Sequence, residues 1–189
     1  MLKGMLALLL LSALVVQADE RDEAVFAQWA AMHDLSGFKR MLAGNRIDAI
    51  VPLYQLLRTA SDWEKCSAEP FSAPPQSLWP SVKSTLQLLK ALSDMQVLGE
   101  FEMVSGYRDP QLNACAGGAP QSAHTRAFAV DLIIATPNDA AARLCAFWRL
   151  EGARWNMGLS QYASGRIHID TAGYRTWGDD FTYKSSFCR

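Results

Sequence analysis

Two short apolar segments each end in side chains that could bind a metal. In "QSAHTRAFAVDLII", Gln121–Ile134, His124 and Asp131 stand seven residues apart, and in "RIHID", Arg166–Asp170, His168 stands two residues before Asp170. A β-strand sends successive side chains to opposite faces. On that period Phe128, Val130, Leu132 and Ile134 share one face, and Ala127, Ala129, Asp131 and Ile133 the other. In the second segment Ile167 and Ile169 oppose Arg166, His168 and Asp170. Each segment thus buries aliphatics on one side and presents polar groups on the other. If the two are neighbours in a sheet, Asp131 and His168 share its open face, and His124 folds back over it. Two imidazoles and a carboxylate, with a fourth position left for water, form the donor set of a catalytic zinc site. Asp170 is placed to orient one imidazole. Zinc polarises a carbonyl and lowers the pKa of its water towards about 7, which suits amide hydrolysis. The remaining histidine, His33, reads as an exposed surface residue.

The rest of the chain must position these groups. It has 189 residues, 50% hydrophobic and 20% charged, which fits one globular domain with some decoration. The net charge of −1 and the absence of a Lys/Arg run argue against a nucleic-acid partner. Residues 1–18 read as a signal peptide: Lys3, an apolar run over Met5–Val16, then small residues before a cut after Ala18. That run would span roughly 18 Å as a helix, short of the ~30 Å of a bilayer core, so no stable membrane anchor is expected. Export places Cys66, Cys115, Cys145 and Cys188 in an oxidising compartment, where an even count favours two disulfides. Three pairings are open, and Cys145, in an apolar helical segment, could instead be a buried thiol.

Residues 19–61 read as an N-terminal helical extension with a last helix from Pro52 through Thr59; residues 62–189 read as the main domain. The prolines between Pro70 and Pro80 break regular structure. Pro80 to about Leu98 reads as the longest helix, ended by Gly99. Strands are expected at Glu100–Tyr107, Ala127–Ile134, Met157–Tyr162 and Arg166–Asp170, with a helix from Pro137 to Gly152. The mixture without βαβ regularity predicts an α+β fold: a small antiparallel sheet flanked by helices.

Three motifs in order resemble the zinc D-alanyl-D-alanine carboxypeptidases and related peptidoglycan endopeptidases, metallopeptidases of the hedgehog/DD-peptidase type. "SAHTRAFAVD" is similar to their S-x-H-x-x-G-x-A-x-D, "RIHID" to their closing H-x-D strand, and "SGYRDPQLN" to the S-x-Y-R-x-x-x-x-N segment before the first ligand; "GYRTW" after the last His also fits. The likeness covers about residues 62–178. It implies that His124, Asp131 and His168 bind Zn²⁺, that Arg108 faces the substrate and pairs with a peptide carboxylate, and that Ser122 hydrogen-bonds within the site. It implies the peptide stems of peptidoglycan as substrate, which agrees with export to the periplasm or beyond.

Two departures qualify the resemblance. Ala127 replaces the motif's Gly, and "QYASGR", before His168, holds no acid where many members carry a general base. Asp170 is then a candidate base or a supporting group, and Glu151 a more distant candidate. Two functions follow: hydrolysis of a peptide bond in peptidoglycan stems by a carboxypeptidase or endopeptidase, or a non-catalytic metal-containing murein-binding module.

Overall fold

The computed structural model describes residues 21–189; the expected signal peptide lies outside them. No helix among the described residues is long and apolar enough to cross a membrane. The chain divides into two compact units, one ending at Ser36, the other Gly37–Arg189. The first contains helix α1, residues 21–31. Helix α2 (Ser36–Gly44) leads into the second unit, followed by α3 (Leu53–Leu56), α4 (Trp79–Asp94), α5 (Pro110–Cys115) and α6 (Pro137–Leu150). The strands are β1 (Phe101–Ser105), β2 (Ala129–Ile134), β3 (Gly158–Gln161), β4 (Ile167–Asp170) and β5 (Arg175–Trp177). Within the second unit α3 packs on β1.

The five strands form one sheet in the order β1-β2-β4-β3-β5. The fold is α+β as expected, but the sheet is mixed: three pairings are antiparallel, and β3 with β5 is parallel. Sequence reading missed β5, whose three residues are too few for a periodic signal. The register places Asp131 opposite His168, Ser160 opposite His168, and Trp177 opposite Ser160. One transverse row therefore carries polar and aromatic groups, while Val130, Leu132, Ile167, Ile169 and Leu159 are buried. Leu86, Leu89 and Leu92 of α4, which packs on β2, are also buried; full burial stabilises by roughly 1.5–3 kcal/mol per side chain.

Helix ends depart from expectation for identifiable reasons. α4 stops at Asp94 because Gln96 takes the left-handed conformation (φ 55°) and the Val97 amide reaches back to the Leu92 carbonyl at 2.8 Å, so Gly99 is not the terminator. α3 ends at Leu56 because the Thr59 amide donates to Pro70 (3.0 Å) in a short extended pairing with the proline-rich loop. The outer edge of β1 is covered by α3, where the Gln55 side-chain oxygen accepts from the Met103 amide at 3.1 Å.

Both disulfides exist, Cys66–Cys115 and Cys145–Cys188, so Cys145 is not a free thiol. They close loops with sequence separations of 49 and 43, each stabilising by about 4 kcal/mol on the chain-entropy account.

Backbone demands at two positions generate a paired prediction. Ala127 sits at φ 56°, the left-handed region that explains the Gly of the resembling motif and costs a residue with a Cβ about 1 kcal/mol. Its methyl is buried, so Ala127→Gly exchanges strain relief for lost packing and should shift unfolding free energy by less than about 1 kcal/mol. Gly106 is different: a Cβ there would meet the Leu56 carbonyl and the Met103 methyl at 2.8 Å. Gly106→Ala should destabilise by about 1–3 kcal/mol in urea titration, visibly more than Ala127→Gly.

Candidate metal centre

His124 is carried by a 3₁₀ turn, Ala123–Arg126, not by a strand. The Ser122 hydroxyl caps this turn by accepting from the His124 amide (3.3 Å), and Ala127 closes it in the left-handed conformation. The turn folds His124 back over β2. Asp131 and His168 are direct cross-strand partners on β2 and β4. The structure thus brings the three expected ligands together: His124 Nε2 lies 3.2 Å from Asp131 Oδ1 and 3.2 Å from His168 Nδ1, and His168 Nδ1 lies 3.0 Å from Asp131 Oδ1. All three residues are buried, and Asp131 and His168 line a cleft of about 800 Å³.

The outward nitrogens determine what the inward atoms can do. His124 Nδ1 is 2.7 Å from the Gly106 carbonyl, which can only accept, so Nδ1 carries the proton and Nε2 turns a lone pair inward. His168 Nε2 donates to Asp170 Oδ2 at 2.9 Å. Asp170 is fully buried and held by Arg175 from two nitrogens, at 3.0 and 2.7 Å, and by the Ala172 amide at 2.8 Å. Room for this carboxylate comes from Gly158, where a Cβ would sit 2.4 Å from Asp170 Oδ2. Zinc bonds of about 2.0–2.2 Å in a tetrahedron put neighbouring ligand atoms about 3.3 Å apart, so the triangle and its donor types fit zinc.

Charge follows the same geometry. Burial holds the His124 imidazole below its usual pKa, so it is the neutral member. Burial alone would lower His168 too, but hydrogen bonds and charge from Asp131 and Asp170 override it and raise it to about 9. Asp131 is well below the carboxylate range: burial opposes ionisation, and the two imidazoles outweigh it. Without metal, one proton on His168 bridges the cluster.

Other expected residues fall as follows. Arg108 precedes Asp109, which caps α5 by accepting from the Gln111 and Leu112 amides at 2.8 and 3.0 Å. That turn brings Arg108 Nη2 to 3.5 Å from Asp131 Oδ2 on the cleft wall, with Nε buried and unpartnered. The Ser122 hydroxyl serves the His124 turn. Asp170 has no surface in the cleft. Glu151, at the end of α6, faces Arg154 at 3.5 Å and does not line the cleft. Sequence reading missed Tyr162, whose hydroxyl is 3.3 Å from His168 Nδ1, and Trp177, whose ring meets His168 edge-on at 5.3 Å. The parity of β3 and of the short β5 would have placed Ser160 and Trp177 on this row. Burial and the Asp131 carboxylate push the Tyr162 phenol above its ordinary pKa.

Two predictions follow. Asp170→Asn and Gly158→Ala should each weaken zinc affinity about 10- to 100-fold by competition with a chromophoric chelator, because both disturb the partner of His168. The raised His168 pKa stabilises the metal-free fold fully below about 6.5, and that contribution drains away as pH rises through about 9. Zinc must displace the same proton. Its affinity should therefore climb from pH 6 to 9 while the Tm of metal-free protein falls; a flat zinc profile contradicts the cluster's protonation.

Comparison with known proteins agrees with this geometry. A family model described as Peptidase M15 matches residues 54–170, more than half of the chain and every side chain of the cluster. Neither curated proteins nor solved structures give a match. The chain belongs to the Peptidase M15 family, which is of the zinc D-alanyl-D-alanine carboxypeptidase type.

Proposed function

We propose that this protein is an exported zinc metallopeptidase that hydrolyses a peptide bond in the stem peptides of peptidoglycan. The observation that carries the reading is the inward-facing triangle at the cleft wall, with both outward imidazole nitrogens anchored. His124, Asp131 and His168 would hold the zinc. When bound, zinc supplies Lewis acidity to a scissile carbonyl and activates water near neutral pH.

The chain's own groups do the rest. Arg108 is nine-tenths buried, its buried Nε is unpartnered, and the residue lines the cleft that contains the reacting centre. A buried guanidinium with spare donors suits a carboxylate, which it grips from two nitrogens. Its role is to bind and orient an acidic stem peptide. Asp170 holds the His168 ring and, with both oxygens engaged, does not shuttle protons. The other carboxylates lining the cleft are Asp62 and Asp179, and proton transfer falls to one of them. Two disulfides accord with an oxidising compartment.

Digestion of defined muropeptides, read by mass spectrometry, tests this. Zinc-loaded protein should release a fragment shortened by peptide hydrolysis. Arg108→Ala should keep zinc and lose at least about tenfold in kcat/KM. Among Asp62→Asn and Asp179→Asn, one should lose about 100-fold in kcat with zinc retained. No cleavage from pH 5 to 9 with zinc bound would instead favour a murein-binding module.

A further inference from the structure

Tyr162 belongs to no motif that pointed to the site. It follows β3 in the β3–β4 hairpin, its amide donates to the Arg166 carbonyl at 2.9 Å, and its ring meets His168 edge-on with centroids 6.1 Å apart. It is 37% exposed and lines the same cleft as Arg108 and Asp131. Its hydroxyl lies 3.3 Å from His168 Nδ1 and within hydrogen-bonding reach of the Asp131 and Arg108 side chains.

The hairpin holds the phenol at the edge of the ligand triangle, beside the Asp131 carboxylate and the Arg108 guanidinium, on the wall of the cleft that a substrate must enter.

We propose that Tyr162, on the cleft wall beside the ligand triangle, is the hydrogen-bond donor to the oxyanion that develops on the scissile carbonyl. This rests on the peptidase reading above. As water adds to the carbonyl carbon its proton passes to the cleft carboxylate assigned above, the new C–O bond forms as the C=O π bond breaks, and that electron pair moves to the carbonyl oxygen. Tyr162 donates a hydrogen bond to that oxygen and keeps its proton, so it stabilises the tetrahedral state more than the planar substrate.

Calorimetry on zinc-loaded wild type and Tyr162→Phe, with a phosphinate pseudodipeptide of D-alanine as the tetrahedral probe and D-alanyl-D-alanine as the planar one, tests the proposal. Tyr162→Phe should bind the phosphinate about 10- to 100-fold more weakly and the dipeptide within threefold of wild type, with kcat lowered and KM little changed. Its zinc affinity should stay within about threefold of wild type, since the phenol is neither a ligand nor the anchor of one. Unchanged phosphinate affinity overturns the donor role while leaving the peptidase reading intact. A tenfold loss of zinc affinity also overturns it, by making Tyr162 a support of His168. Failure of wild type to bind the phosphinate at all overturns both readings.

Discussion

The site depends on the cross-strand pair Asp131–His168. An antiparallel register in which these residues face each other brings a carboxylate oxygen and an imidazole nitrogen to 3.0 Å without any loop having to be held in place. A slip of one residue between β2 and β4 would send one partner to the core face, where Val130, Leu132, Ile167 and Ile169 are buried. The aliphatic face and the reactive face therefore specify the same register.

Around that pair the structure spends its polar contacts on orientation. Gly106, crowded by Leu56 and Met103, offers the carbonyl that fixes the His124 tautomer. Gly158 leaves the space in which Asp170 reaches His168, and Arg175 neutralises Asp170, which is fully shielded from solvent. Two glycines that carry no chemistry thus determine where both inward lone pairs point. Burying Asp170 without Arg175 and His168 would cost several kcal/mol, so the supporting layer stands or falls as a unit. Arg108 is the exception, a buried cation whose Nε has no partner, and it lies on the open side.

Much of this was legible in the residues. Two-residue periodicity sorted Asp131 and His168 onto a polar face because both strands carry unbroken aliphatic sets opposite. The spacing of His124 to Asp131 was visible, but its 3₁₀ turn, with Ala127 left-handed, was not, because a residue with a Cβ gives no warning of positive φ. Strand β5 and its parallel pairing escaped because three residues show no period, so "GYRTW" fitted the family without revealing what Arg175 and Trp177 touch. The burial of Asp170 and its four hydrogen bonds were not legible, because Ala172 and Arg175 reach it only through the fold. Disulfide pairing depends on long-range proximity that no local pattern encodes.

The central claim is that His124, Asp131 and His168 share one divalent ion. Zinc K-edge X-ray absorption on protein purified without chelator tests it most directly. The account predicts one zinc per chain with two imidazole nitrogens at about 2.0–2.1 Å, a shell completed by oxygen and no sulfur. A metal-free protein that takes up no zinc, or a shell lacking histidine scattering, would contradict it.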